Sequence, residues 1–170
     1  FDAAAIACLP DSIKILSTFS VGYEHIDVPA AVERGIVVTN TPDVLTDATA
    51  DVAMLCLLGA ARRAHEAQTL LREGNWKSWN TTLLLGSHMS GKRLGIYGMG
   101  RIGQAVARRA KGFGMEVHYH NRRRVSPELE FGAIFHDNLE QFLGLSQFLS
   151  INAPLTPSTA KFLNAQSITS

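Results

Sequence analysis

Residues Gly91 to Arg124 read GKRLGIYGMGRIGQAVARRAKGFGMEVHYHNRRR, and this run decides the fold. Arg93 to Tyr97 has the make-up of a short strand, and Gly98-Met99-Gly100-Arg101-Ile102-Gly103 is a G-x-G-x-x-G turn. Gln104 to Phe113 carries helical spacing, and Met115 to His120 reads as a second strand. Strand, glycine turn, helix and strand in this order open a βαβ unit of the kind that binds a dinucleotide. Gly98 permits the tight exit from the strand, Gly100 lets the backbone approach a pyrophosphate, and Gly103 lets the helix pack closely on the sheet. The N–H groups at the helix start, Arg101 and Ile102 among them, would face the phosphates, where the helix dipole also favours negative charge. The alternative is an ordinary glycine-rich βα loop with no ligand; the flanking strand and helix speak for the dinucleotide.

The end of the second strand discriminates between cofactors. A reader of NAD carries an Asp or Glu there, about 20 residues past the glycines, for the ribose 2′-hydroxyl, whereas Arg accommodates a 2′-phosphate. Here Asn121 holds the place, followed by Arg122, Arg123 and Arg124. Guanidinium and phosphate match as planar bidentate partners, so the expectation is NADP(H) over NAD(H). A solvated basic turn is the competing reading.

The chain of 170 residues is 46% hydrophobic and 18% charged, with a formal net charge of +1. That is a globular composition, and it gives no overall attraction to nucleic acid or an anionic membrane. The longest apolar run, Val52 to Ala61, is too short to span a bilayer. No signal peptide opens the chain. Cys8 and Cys56 stand in apolar surroundings without metal-ligand spacing, so the expectation is buried free thiols in a reducing, cytoplasmic compartment and no metal site. Both ends look cut, since a doubly wound dinucleotide domain has about six strands and only four candidates follow Ser90.

Ahead of the glycine turn, Lys14 to Thr18 is β-like and leads into Phe19-Ser20-Val21-Gly22-Tyr23. Val28 to Arg34 is helical, Gly35 ends it, and Ile36 to Thr39 is the next strand. Thr46, Asp47 and Thr49 can each cap a helix start. Val52 to Leu71 then contains no Pro, which predicts one continuous helix of ~30 Å with a core face through Met54, Leu55 and Leu58. The domain boundary falls at its beginning: residues 1–46 form part of a substrate domain, and residues 47–170 form part of a dinucleotide domain that starts with this bridging helix. Trp76 and Trp79 read as packing or subunit-contact aromatics. Beyond the arginines, Pro127 begins a short helix, Gly132 to Phe135 is a third strand, Asn138 caps a helix over Leu139 to Leu143, and Gln147 to Ala153 is a fourth strand stopped by Pro154.

Four motifs in order resemble the D-isomer-specific 2-hydroxyacid dehydrogenases: Ser20 to Asp27, Gly35 to Pro42, Gly91 to Arg124, and Ala153-Pro154-Leu155-Thr156-Pro157-Ser158-Thr159. The Asn-Arg-Arg ending of the second strand is similar to the NADPH-preferring glyoxylate and hydroxypyruvate reductase branch. The resemblance implies a doubly wound α/β cofactor domain beside a flavodoxin-like substrate domain, an active site in the cleft between them, and a homodimer. It assigns Val21 and Gly22 to the loop whose backbone N–H groups hold the substrate carboxylate. It places Thr46, Ala153, Pro154 and Thr159 along the cofactor, although Thr46 and Thr159 could equally be helix caps. One departure matters. The family's catalytic Arg, Glu and His lie in segments that would follow Ser170, so no catalytic residue is assigned here, and His25, His65, His88, His118, His120 and His136 read as surface, packing or cofactor-rim residues. Asp51 also stands where many members have Glu.

The reaction implied is hydride transfer from NADPH to a small 2-oxo acid such as glyoxylate or hydroxypyruvate, giving a D-2-hydroxy acid, with the present chain inactive by itself. Two other readings share the architecture: a phosphonate- or formate-oxidising relative, and a nucleotide-sensing module of the corepressor type that binds without turnover.

Overall fold

The computed structural model describes residues 1–169 and divides into two compact units, Phe1–Leu45 and Thr46–Ser170. In the first unit, helix α1 (Ala3–Ala7), strand β1 (Ile15–Ser17), helix α2 (Val28–Glu33) and strand β2 (Val37–Thr39) follow in order. The two strands are parallel, with Ile15 opposite Val37 and Ser17 opposite Thr39. Both helices start on an Asp that takes an orphan backbone N–H: Ala5 N donates to Asp2 at 2.8 Å and Ala30 N to Asp27 at 3.1 Å. Ile6, Ile26, Ala31 and Ile36 form a small core of their own.

The second unit opens with helices α3 (Thr46–Ala61) and α4 (Ala64–Arg72). It continues through β3 (Arg93–Tyr97), α5 (Arg101–Gly112), β4 (Glu116–His120), α6 (Pro127–Glu130), β5 (Ile134–His136), α7 (Leu139–Leu145), β6 (Phe148–Ile151) and α8 (Ala165–Thr169). The sheet is parallel throughout, in the order β5-β4-β3-β6. Alternation along β3 puts Leu94 and Ile96 on the face covered by α5 and α3, while Gly95 points the other way, where a Cβ would run into Phe142 of α7 and Ser146 just past its end. Helices therefore cover both faces, and the doubly wound reading of the glycine-turn segment holds. The core of this unit joins Ala50 and Met54 of α3, Leu94 and Ile96 of β3, Val106 and Ala110 of α5, and Val117 and Tyr119 of β4. Two ion pairs tie α3 to α5, from Arg109 to Asp51 (2.7 Å) and to Asp47 (3.0 Å).

Three expectations change. The helix predicted to run unbroken from Val52 to Leu71 is two helices, because Arg63 adopts φ 54° and ψ 40° between them. The Ala61 carbonyl, which a continuous helix would pair internally, instead accepts the N–H of Ser87 at 2.8 Å, and Gly86 lies against it so closely that a Cβ could not fit. Leu55 is not core: it is 67% exposed, since α3 buries the stripe through Ala50, Met54 and Ala61, and position 55 falls outside it. Cys8 and Cys56 are free but exposed rather than buried.

Candidate functional site

Strand β3 is where the winding reverses. The chain runs outward from β3 to β4 and β5, then returns to lay β6 on the other side of β3. In open α/β sheets, ligands bind past the carboxyl ends of the strands at such a switch point. A groove of about 760 Å³ lies there, lined by Tyr97 at the end of β3 and Gly98 after it, Asn121, Arg122 and Arg123 after β4, and Ala153 after β6, among others. Its size falls within the range of small-molecule sites.

The glycine turn forms the floor of the groove. Gly98 has φ +100°, and a Cβ on it would stand 2.6 Å from the N of Ala153, so the turn requires glycine on both counts. Gly98 N donates to the His120 carbonyl at 3.0 Å, and Asn152 N donates to the Tyr97 carbonyl at 2.8 Å, which fastens the turn to the strands on either side. Gly103 is buried against the Gly98 carbonyl with no room for a Cβ. Gly100 differs, since a Cβ there would meet no protein atom within 4 Å. It would project into the open groove, in the space a pyrophosphate would take. Gly100 also stands at the N-cap of α5 without a side-chain cap, which leaves the helix start to an anion.

The far wall is a turn held by Thr159. Its hydroxyl donates to the Pro154 carbonyl at 2.6 Å and accepts from Thr156 N at 2.8 Å. The three arginines separate. Arg122 and Arg123 line the groove, whereas Arg124 turns to Glu130, with Nε 2.7 Å from Oε1 and Nη2 3.0 Å from Oε2. The basic run is thus partly a structural ion pair.

Of the residues singled out from sequence, Gly98, Gly100, Asn121, Arg122, Arg123, Ala153, Pro154 and Thr159 come together around this groove. Arg101, Ile102 and Gly103 lie in the first turn of α5, with Gly103 buried and Ile102 packed on the core, and they do not line it. Thr46 is the first residue of α3. Val21 and Gly22 belong to the first unit, in a loop pinned by Asn40 Nδ2 on the Val21 carbonyl (2.8 Å) and Ser20 Oγ on the Gly22 carbonyl (2.7 Å). Sequence reasoning missed Tyr97, Asn152, Thr156 and Ser158 as lining residues, and it named His120 only as one of six histidines on the surface, in packing or at the cofactor rim. The available signal was position: Tyr97 and His120 end β3 and β4, Asn152 follows β6, and Thr156 and Ser158 lie inside the Ala153-to-Thr159 motif. His120 stacks on Tyr97 at 5.7 Å between ring centres, and its Nδ1 donates to the His136 carbonyl at 2.9 Å. Among the described residues, no cluster of His, Cys, Asp and Glu could hold a metal.

Residues 54–170 match the family described as "D-isomer specific 2-hydroxyacid dehydrogenase, NAD binding domain". The chain belongs to the D-isomer-specific 2-hydroxyacid dehydrogenase family. It is 48% identical over 164 residues to the glycerate dehydrogenase of Hyphomicrobium methylovorum, an overlap that is 95% of this chain and 51% of that protein. It is 50% identical over 152 residues to the glyoxylate reductase of Thermococcus litoralis, covering 86% of this chain and 46% of that one. Among solved structures it superposes, with a TM-score of 0.82 and 38% identity, on the NADPH-dependent glyoxylate/hydroxypyruvate reductase of Sinorhizobium meliloti in complex with NADP and malonate, over 92% of this chain and 48% of that one. The chain spans about half the length of the curated relatives it matches. Membership of the family accounts for the Rossmann-type arrangement around the groove.

Proposed function

We propose that this chain carries the cofactor site of an NADPH-dependent reductase that converts a small 2-oxo acid, glyoxylate or hydroxypyruvate, to a D-2-hydroxy acid. The observation that carries the cofactor choice is the pair Arg122 and Arg123 on the wall of the groove, with no carboxylate among its lining residues. The residues present fit a dinucleotide: Gly100 leaves open the volume a Cβ would occupy, beside an uncapped helix start. When bound, the cofactor supplies the hydride.

The chain's own residues bind and orient. The glycine turn at Gly98 and Gly100, ahead of α5, receives the pyrophosphate, Arg122 and Arg123 pair with the 2′-phosphate, and Ala153, Pro154 and Thr159 border the cofactor on the opposite side. Thr46 lies along the cofactor at the start of the second unit. In the first unit, the backbone N–H groups of Val21 and Gly22 take the substrate carboxylate. Residues 1–45 act as part of the substrate domain, and residues from Thr46 onward as the cofactor domain. The acid that protonates the carbonyl oxygen is not among these groups, so the chain by itself binds cofactor without turnover.

The relatives named glyoxylate reductase and glycerate dehydrogenase support the substrate class. The reading also makes the protein a cytoplasmic homodimer. Among the described residues no helix is long and apolar enough to cross a membrane, and Trp76 and Trp79 stand 50% and 78% exposed near Leu83, as subunit-contact aromatics would.

Parallel titrations with NADPH and NADH test the cofactor choice. Tighter NADPH binding that is lost with Arg122 and Arg123 is expected, and equal affinity for the two overturns it.

A further inference from the structure

Asn121 stands one residue past β4, yet its side-chain oxygen does not face the groove. Oδ1 accepts the backbone N–H of Met99 at 2.8 Å. Met99 is the middle residue of the Gly98-Met99-Gly100 turn, and it is fully buried. It precedes the N-cap of α5, so its N–H has no helical partner, and it has left β3, so it has no strand partner either. A buried N–H in that position needs an acceptor supplied from elsewhere. The neighbouring Gly98 N–H is taken by the His120 carbonyl, a bond that any residue at position 120 would make. The Met99 bond alone depends on a side chain.

The same hydrogen bond orients the amide. Only oxygen can accept from Met99, so the Nδ2 group is the one left over. Among the described residues Nδ2 has no hydrogen-bond partner, and Asn121 lines the groove beside Arg122 and Arg123.

We infer that Asn121 is a positioning residue with two separable duties, fixing through Oδ1 the glycine turn that carries the pyrophosphate of either nucleotide and offering through Nδ2 a donor to a 2′-phosphate. The first duty serves NADH and NADPH alike, because both place a pyrophosphate on the turn. The second serves NADPH only, and it rests on the cofactor reading given above. An aspartate at this position keeps the acceptor for Met99 but replaces the donor with a negative charge, which a phosphate repels.

The test uses the full chain, with NADPH and NADH titrated into the unaltered protein, Asn121→Ala and Asn121→Asp, alongside thermal melts and hydrogen exchange at the Met99 amide. Asn121→Ala is expected to weaken both nucleotides, about tenfold or more for a lost buried hydrogen bond, and to speed exchange at Met99. Asn121→Asp, close in shape, is expected to keep Met99 protected and NADH binding near its original level while NADPH weakens, so it stays informative should the alanine variant melt. Unchanged NADH affinity with unchanged Met99 exchange in Asn121→Ala overturns the first duty, and equal effects on both nucleotides in Asn121→Asp overturn the second. If the unaltered chain binds both nucleotides equally, the cofactor reading fails, while the Met99 exchange arm still decides the role of Asn121 in the turn.

Discussion

Arg124 grips Glu130 with two nitrogens, Nε at 2.7 Å and Nη2 at 3.0 Å from the two carboxylate oxygens, and so is withdrawn from the basic run that would otherwise read as three equivalent groups. Glu130 is only 6% exposed, and the hydroxyl of buried Tyr119 also donates to it at 2.7 Å. Removing Arg124 leaves a nearly buried carboxylate without its cation. Arg124→Ala is therefore expected to lower the melting temperature by several degrees and to leave the NADPH-to-NADH affinity ratio unchanged. A shifted ratio with an unchanged melt would place Arg124 in the cofactor site.

The same cluster sets a pH dependence at both extremes. The Arg124 guanidinium, followed by the Tyr119 hydroxyl, holds the Glu130 carboxyl down to about 2, against an ordinary 4.5. A depressed carboxyl contributes stability that is complete above the unfolded value, and it is lost as pH falls from about 4.5 through about 2. Burial, then the bond to Glu130, pushes the Tyr119 hydroxyl up to about 12 from 10.0, so its contribution is complete below the unfolded value and lost as pH rises between the two. Urea unfolding across pH should show both declines. Glu130→Gln should flatten the acid limb, and Tyr119→Phe, at a cost of about 1 to 2 kcal/mol near neutrality, the alkaline one.

His118 is a second pH-sensitive group, with its Nδ1 2.8 Å from His136 Nε2. His118 is 5% exposed, and burial is the main cause that lowers its pKa, with the nearby Glu116 opposing. Glu116 Oε1 comes within 3.1 Å of His118 Nε2, but the approach is too poorly aligned to count as a hydrogen bond, and Nε2 is otherwise unpartnered. A lowered histidine stays neutral in the fold while the unfolded chain takes up a proton. Stability should therefore decline as pH falls below about 6.5. Titration of the His118 ring resonances checks this; a midpoint at or above the ordinary value would contradict it.

Gly98 and Gly100 should fail differently. Gly98→Ala meets both a positive φ and the Ala153 backbone, so it is expected to cost about 1 to 3 kcal/mol of stability as well as binding. Gly100→Ala meets nothing in the protein, and its φ of −75° suits any residue. It should melt like the unaltered chain yet bind both nucleotides poorly. Calorimetry and nucleotide titration on the two variants separate a fold requirement from a ligand requirement.

Arg122→Ala and Arg123→Ala should each weaken NADPH by ~1.5 to 3 kcal/mol per charged hydrogen bond lost, roughly ten- to a hundredfold in Kd, with little change for NADH. Equal losses for both nucleotides would assign these arginines to the pyrophosphate or to general electrostatics.

Much of this site was legible because its signals are local. A G-x-G-x-x-G between a strand and a helix states its backbone requirement in six consecutive residues. The expected N-cap at Asn138 follows from neighbouring residue types and is present, Gln141 N donating to its Oδ1 at 2.8 Å. The break at Arg63 left no such trace, since neither Pro nor Gly marks it and its cause, the Ser87 N–H on the Ala61 carbonyl, comes from 26 positions further along. Leu55 and Cys56 were misjudged for a related reason: an apolar neighbourhood in sequence does not say which side of a helix meets the core, and Cys8 stands just past the end of α1.

The order of amino acids by itself determined the glycine turn, the helix starts and the presence of guanidiniums past β4, because backbone conformation and side-chain type are properties of short stretches. Only the tertiary structure decided which arginines face the groove and which one is spent on Glu130. It likewise decided that the Asn121 oxygen belongs to Met99 and that His118 is sealed against His136. Those outcomes depend on groups that the parallel sheet brings to adjoining strand ends, and pairing at such distances is chosen by packing of the whole unit.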